Sequence, residues 1–237
     1  MKNMKNIIFY ILIALSVGSC AIDNYDEPTA SLQGVLADAN GTGLQIEPGN
    51  SSTRIKMEEV SWSSTPIPFY LNFKMDGTYI NSKVFVARYA MTPVEGPFYP
   101  IIADTVEVNG NTTHNFKVTP YLNVSWVGTP IVEADKRITA KFKFTRNASP
   151  VAGVAIPNLL DYQLFISTTK FVGNNNADLN MVASAVAATN VMENQELSIT
   201  TKIAVKYSTT YYVRVGVRVS DSFKKYNYTD VKTVIVP

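Results

Sequence analysis

Residues able to carry out catalysis are scarce in this chain of 237 residues. A hydrolase needs a nucleophile beside a base, and histidine is the most common base. The single histidine, His114, lies in a polar stretch beside a turn, which favours an exposed side chain at the edge of a strand. A Ser-His-Asp triad therefore has no support in the sequence.

Acidic residues stand in adjacent pairs, Asp26-Glu27 and Glu58-Glu59. Neighbouring side chains on a strand point to opposite faces, whereas a retaining glycosidase needs two carboxyl groups about 5 Å apart that face one sugar. We therefore expect no enzyme. A cleft that holds two close carboxylates would contradict this expectation.

No metal or other cofactor is expected. The run from Asp38 to Gly43 resembles the start of a calcium loop, but the twelfth position from Asp38 holds Gly49, where such a loop has a glutamate. A hairpin turn explains these residues better. Because Cys20 is the only cysteine, neither a disulfide within the chain nor a thiolate-rich zinc site can form.

Aromatic residues make up 11% of the chain and are its most promising binding resource. Trp62 lies in a polar segment that ends in proline, Tyr70 lies on the polar face of a predicted strand, and Phe98 and Tyr99 stand between two prolines. Exposed rings held by proline-rich loops make a rigid platform for a glycan, a peptide or a protein. The alternative is that these rings plug the ends of a β-sandwich or contact a second domain.

The first residues predict export. Lys2 and Lys5 precede an apolar run, Ile7 to Val17, which is typical of a signal peptide over residues 1–19 and is too short to span a bilayer. The end of this run, Val17 to Cys20, resembles a bacterial lipobox, which implies lipidation of Cys20. An ordinary secretory signal that happens to end near a cysteine is the alternative.

Residues 20–30 then form a short tether. Its acidic start, Ala21 to Pro28, resembles the signal that sends Bacteroidetes lipoproteins to the outer leaflet, so we expect an outer-membrane protein that faces the cell exterior; a solvated linker is the alternative. Removing Lys2 and Lys5 from the 21 basic residues leaves as many as the 19 acidic ones. This balance gives no reason to expect nucleic acid as a partner.

Period-2 alternation predicts an all-β fold. The clearest strands are Phe69 to Met75, Ile138 to Thr145 and Val213 to Val219. Hairpin turns are predicted at three dipeptides: Asn40-Gly41, Asp76-Gly77 and Asn109-Gly110. One short helix is expected between Ala177 and Thr189.

Two antiparallel β-sandwiches in tandem are predicted, over residues 31–119 and 120–237, because Pro120 stops one ladder before a new alternating run begins. The motifs of the first half resemble the carboxypeptidase regulatory, transthyretin-like sandwich: Ser31 to Asp38, Gly43-Leu44, Asp76 to Tyr79 and Arg88-Tyr89. The run from Val205 to Val215 resembles a fibronectin type III or immunoglobulin-like sandwich. That resemblance implies that Tyr211 is the corner tyrosine, whose hydroxyl returns to the backbone upstream.

Motifs spread over the mature chain resemble a Bacteroidetes outer-membrane lipoprotein family of unknown function that is encoded beside SusC/SusD-type transporters. They are the lipobox, the acidic tether, Ser31 to Asp38, Glu47 to Ser51, Glu95 to Pro100 and Asp104 to Val108. The resemblance implies a role in nutrient capture and supplies no catalytic residues. Thr105 lies in a tripeptide that resembles an O-glycosylation acceptor.

These observations predict a binding module: a non-catalytic accessory of a SusC/SusD-type complex that holds an oligosaccharide or peptide at the cell surface. Trp62, Tyr70, Phe98 and Tyr99 are its candidate ligand-binding residues. A structural scaffold or spacer that docks on other surface proteins without a small ligand is the alternative.

Overall fold

The computed structural model describes residues 26–49 and 51–237. The predicted signal peptide, Cys20 and the first part of the tether lie outside the described residues. Within these residues the structure is almost entirely β, with 17 strands and one 3₁₀ turn. The predicted all-β fold with two sandwiches is confirmed.

The first half contains eight strands in two sheets. One sheet has the order β4-β1-β7, with β8 also on β1, and the other has the order β3-β2-β5-β6. All pairs are antiparallel except those of β1 with β7 and β8. The strands are β1 Ala30–Ala37, β2 Arg54–Glu59, β3 Phe69–Asn72, β4 Thr78–Val84, β5 Ala87–Val94, β6 Asp104–Val108, β7 Asn111–Thr113 and β8 Phe116–Lys117.

The second half contains nine strands, also in two sheets. Their orders are β10-β11-β14, with β9 on β11, and β13-β12-β15-β16, with β17 on β15. All of its pairs are antiparallel. The elements are β9 Leu122–Trp126, β10 Ile131–Val132, β11 Ile138–Arg146, β12 Leu159–Ser167, β13 Val186–Ala187, the 3₁₀ turn Asn190–Met192, β14 Leu197–Thr200, β15 Thr210–Val219, β16 Tyr226–Tyr228 and β17 Lys232–Ile235.

Each half has its own core, built by the alternation that the sequence shows. On β11, Ile138, Ala140, Phe142 and Phe144 are all fully buried. The hydroxyl of Tyr211 accepts the N–H of Tyr207 at 3.0 Å, which is the return to upstream backbone expected of a corner tyrosine.

A turn forms at each predicted dipeptide, where glycine allows a positive φ, but Asn109-Gly110 joins β6 of one sheet to β7 of the other and is therefore not a hairpin. Gly41, Gly77 and Gly110 have φ values of 84°, 80° and 58°. A Cβ on Gly77 would also stand 2.7 Å from the carbonyl oxygen of Leu36, so this turn packs directly against β1.

The helix expected between Ala177 and Thr189 does not form. The N–H groups of Asp178, Ala183 and Ala188 instead donate to carbonyl oxygens of β12, at 2.8, 3.3 and 3.0 Å. Leu179, in the middle of this apolar pattern, is 80% exposed. Because these N–H groups already have hydrogen-bond partners on β12, a helix would give them no additional hydrogen bonds.

A buried carboxylate of the first half is held by the second half. Glu47, in the connection between β1 and β2, is 6% exposed. It accepts the N–H groups of Asn174 and Asn175 at 3.0 and 2.8 Å, and the hydroxyl of Tyr228. Burial, and then the charge of Glu47, raises the pKa of Tyr228 well above its ordinary value, so this hydroxyl stays a donor.

Arg214 on β15 supplies a buried positive charge beside this carboxylate. Its Nη2 donates to the carbonyl oxygen of Ile46 at 2.9 Å, and its guanidinium carbon lies 3.5 Å from the centre of the Tyr228 ring. Burial lowers the pKa of Arg214. Its Nε and Nη1 have no hydrogen-bond partner in the described part of the chain. We refer to Glu47, Arg214 and Tyr228 as the interdomain cluster.

Candidate functional site

An open groove lies at the end of the first sandwich that is remote from the second half. Its volume is about 1080 Å³. The chain enters β1 at this end, since Ala30 pairs with Val84 here, while β1 leaves toward β8 and the junction at the other end. The lining residues are Asp26, Glu27, Thr29, Glu59, Trp62, Phe69, Asn81, Lys83, Val84, Phe85, Val86, Ala87 and Tyr89.

Aromatic rings dominate the apolar part of the groove. Trp62 is 89% exposed and Phe85 is 56% exposed. Phe69 packs edge-on against Tyr89 with their ring centres 5.9 Å apart. The Tyr89 hydroxyl donates to the carbonyl oxygen of Phe85 at 3.0 Å, which holds the connection that carries Phe85. Two open rings therefore stand next to two fixed ones.

Charged groups surround these rings. Lys83 Nζ lies 3.2 Å from Glu27 Oε2, and both side chains are well exposed. Glu59 accepts the N–H of Ser61 at 2.6 Å. Burial, and then the nearby Glu59 carboxylate, raises the pKa of Tyr89. Asp26 also lines the groove.

Of the four predicted ligand-binding residues, only Trp62 lines the groove. Tyr70 is 42% exposed, but its ring lies under the guanidinium of Arg54, with the ring centre 4.1 Å from Arg54 Cζ. Arg54 in turn forms a two-bond pair with Glu95 at 2.6 and 3.0 Å. The roles of Trp62 and Tyr70 in ligand binding remain predictions.

Phe98 and Tyr99 do not form an exposed platform, which corrects the expectation from their two flanking prolines. Phe98 is 3% exposed in the first core, and Tyr99 is 2% exposed in the second. Their main chain pairs with the segment around Pro120, so adjacent side chains point into opposite halves. The Tyr99 hydroxyl donates to the carbonyl oxygen of Asn147 at 2.8 Å. Both rings therefore serve the junction.

His114 is partly buried rather than exposed, and it lies away from the groove. Its side chain is 23% exposed, and its Nε2 lies 3.1 Å from Asp104 Oδ2. Its ring packs edge-on against Phe116. The histidine thus has a structural partner at the sheet edge. Thr105, the proposed acceptor for a glycan, is exposed on β6, and its modification remains a prediction.

Asp38 forms a turn. Its Oδ1 accepts the N–H groups of Asn40 and Thr42 at 2.8 and 2.9 Å. Across residues 26–49 and 51–237 no cluster of three or more His, Cys, Asp or Glu side chains could hold a metal ion. The same residues include no helix with the length and hydrophobicity of a membrane span.

A second, smaller cleft of about 280 Å³ lies between the two halves. Asn227, which lines it, already uses its amide on both sides, accepting the N–H of Leu122 at 3.2 Å and donating to the carbonyl oxygen of Pro97 at 2.9 Å. No aromatic ring is presented there except Tyr228 of the interdomain cluster. The larger groove is therefore the candidate site.

Residues 30–119 match the N-terminal domain, and residues 128–233 the C-terminal domain, of DUF3823, a protein family of unknown function. This chain belongs to the DUF3823 family. A family member from Bacteroides uniformis superposes with a TM-score of 0.79 at 24% identity, covering 89% of this chain and all of that one. A member from Bacteroides ovatus gives 0.68 at 21% identity, covering 88% of this chain and all of that one.

A third solved structure, from Bacteroides uniformis, is of a protein whose suggested role is carbohydrate binding. It gives a TM-score of 0.69 at 24% identity and covers 88% of this DUF3823 chain and all of its own. Identities this low establish the shared fold alone. No curated protein matches the sequence.

Sequence reasoning missed Phe85 and the grouping of the acidic residues. Phe85 and Val86 form the whole connection between β4 and β5, and both are more than half exposed. Turns normally carry Gly, Pro, Asn, Asp or Ser, so two apolar residues at a strand connection were a usable signal. No local sequence pattern predicts that Asp26 and Glu59, which are far apart in sequence, line the same groove.

Proposed function

We propose that this DUF3823 protein is a non-catalytic, lipid-anchored accessory of a SusC/SusD-type uptake complex and binds an oligosaccharide in the groove. The observation that carries this proposal is a groove of about 1080 Å³ with the Trp62 ring 89% exposed at its edge. An apolar ring face that is held open in a concave site suits stacking against a ligand. The relative with a suggested role in carbohydrate binding adds support for a sugar over a peptide.

The position of the groove agrees with an anchored role. Asp26 lines the groove, and only six residue steps separate it from Cys20. At ~3.5 Å per step an extended chain spans roughly 20 Å. A lipid on Cys20 would therefore keep the groove close to the outer leaflet, where a membrane-embedded transporter can receive the ligand.

The side chains that line this groove offer little support for a catalytic role. Three carboxylates line the groove, Asp26, Glu27 and Glu59; of these, Glu27 is paired with Lys83 and Glu59 accepts a backbone N–H. The single histidine does not line the groove and is paired with Asp104. Binding is thus the better-supported function.

Ligand binding is tested by calorimetry of the purified protein against a panel of oligosaccharides. Replacing Trp62 or Phe85 by alanine should each cost about 1–2 kcal/mol, a five- to thirtyfold loss of affinity. Phe171→Ala is the matched control, because Phe171 is 54% exposed, like Phe85, but lies in the second half. Equal losses in all three variants, or no binding of any sugar or peptide, would remove the groove as the site.

The accessory role is tested by a pull-down from native outer membrane through a tag placed after Pro237, in the half that does not carry the groove. Recovery of a SusC/SusD pair supports the proposal. Recovery of the protein alone, without transporter or ligand, favours a free-standing scaffold.

The scaffold alternative can be tested at two exposed apolar side chains outside the groove. Ile67 is 90% exposed and Ile102 is 87% exposed, and neither lines the groove. If the charge-introducing substitutions Ile67→Glu and Ile102→Glu abolish recovery of a partner while Trp62→Ala leaves it intact, docking rather than ligand binding is the main function.

A further inference from the structure

The groove is acidic although the chain as a whole is not. Its lining contains three carboxylates, Asp26, Glu27 and Glu59, and one ammonium group, Lys83. The formal charge of the whole chain is +2. The negative lining is thus a local property of the groove and not a consequence of composition.

The carboxylates lie next to aromatic faces. Lys83 offsets Glu27 within an exposed pair, which leaves Asp26 and Glu59 to set the sign of the site. Glu59 is close enough to Tyr89 for its negative charge to contribute to the raised pKa of the Tyr89 hydroxyl. A group that carries positive charge on an apolar body gains from both features, through charge attraction and through contact of the cation with a ring face.

The strand edges beside the groove are poorly suited to an extended peptide. A peptide commonly binds by adding a strand to an open edge. Among the described strands, β3 has only β2 as neighbour and β4 only β1. However, β3 has four residues and follows Pro66 and Pro68, and the pairing of β4 shifts register where Lys83 stands. Short strands, prolines, bulges and lysines are the features that block edge pairing.

We propose that the groove binds an oligosaccharide with free amino groups and rejects acidic glycans. Trp62 and Phe85 stack on the sugar rings, while Asp26 and Glu59 attract the protonated amines. This inference rests on the proposed sugar-binding function and specifies its ligand class.

The test compares glucosamine oligomers of six units with their fully N-acetylated counterparts and with galacturonic acid oligomers of equal length. Calorimetry uses the full mature protein in non-ionic detergent near pH 6, where the sugar amines carry protons. We expect the amine form to bind about tenfold more tightly than the acetylated form, and the acidic form not to bind. The preference should shrink when salt rises from about 50 to about 500 mM, because exposed charges are screened.

Glu59→Gln should reduce the preference for the amine form, and Glu59→Gln combined with Asp26→Asn should bring its affinity down to that of the acetylated form. Glu107→Gln is the matched control, since Glu107 is an exposed carboxylate on β6 outside the groove. It should leave the tenfold preference in place. A lysine-rich peptide of similar charge serves as the competing ligand.

The outcomes separate this inference from the proposed function. Equal or tighter binding of acetylated or acidic sugars overturns the charge preference and leaves sugar binding intact. Failure of every oligosaccharide to bind overturns both. Tighter binding of the lysine-rich peptide than of the glucosamine oligomer overturns the choice of a sugar.

Discussion

We predict that neutralising Glu47, one charge of the interdomain cluster, causes a large loss of stability. Glu47→Gln keeps the shape of the side chain but removes the anion beside Arg214, whose side chain is fully buried. Breaking a buried charge pair by neutralising one partner typically costs ~3–5 kcal/mol, because the remaining charge has neither water nor counterion. Glu47 also accepts three hydrogen bonds, from Asn174, Asn175 and Tyr228, and an amide oxygen can satisfy only part of this set.

The free energy of unfolding, measured in urea, should therefore fall by about 3–5 kcal/mol in Glu47→Gln. Glu196→Gln is the control, because Glu196 forms an exposed pair with Lys141 and should cost less than about 1 kcal/mol.

A double variant tests the reasoning itself. Adding Arg214→Met to Glu47→Gln removes the orphaned charge and keeps an apolar side chain of similar length, so at least about 2 kcal/mol should return. If the loss in the double variant equals the sum of the losses in Glu47→Gln and in Arg214→Met alone, Arg214 and Glu47 are not coupled and the electrostatic account is refuted. A loss below about 1 kcal/mol in Glu47→Gln would refute it as well.

Two further predictions concern burial. Gly173→Ala should destabilise the protein by about 2 kcal/mol or more, because a Cβ there would stand 2.5 Å from Arg214 Nη2 and 2.6 Å from Glu47 Oε1; a loss in urea unfolding below about 1 kcal/mol would contradict this. Burial raises the pKa of Tyr121 from 10.0 to about 12. Since the unfolded chain then loses this proton first, Tyr121 should contribute about 2 kcal/mol to the fall in the free energy of unfolding between pH 10 and 12, and a Tyr121→Phe variant with as large a total fall would contradict the assignment.

The apolar pattern was enough to predict the strands. Phe142 and Phe144 on β11 and Val215 and Val217 on β15 are fully buried, as their period-2 spacing requires. The turn glycines were also predictable, because a positive φ is a property of single residues. Helical spacing between Ala177 and Thr189 was misleading, since bonds to β12 give those N–H groups partners that no local pattern reveals.

The burial of a residue that is covered by an element distant in sequence was not predictable. Arg214 alternates with valines, a pattern typical of a polar, exposed face, yet it is fully buried with the centre of the Tyr228 ring 3.5 Å from its guanidinium carbon. Phe98 and Tyr99 lie in a proline-rich segment typical of exposed loops, but the pairing with Pro120 places one ring in each core. A strand pattern states which side chains share a face and is silent on the element that packs against it.

The sequence by itself therefore determined the class of fold, the turns and the scarcity of catalytic residues, because these follow from local spacing and composition. The tertiary structure decided where the binding groove lies. Only folding brings the Phe85 connection, the loop with Trp62, the end of β2 with Glu59 and the entering chain at Asp26 to one end of the sandwich. Such a meeting depends on strand order and register, which are set by packing between sheets and not by any one segment.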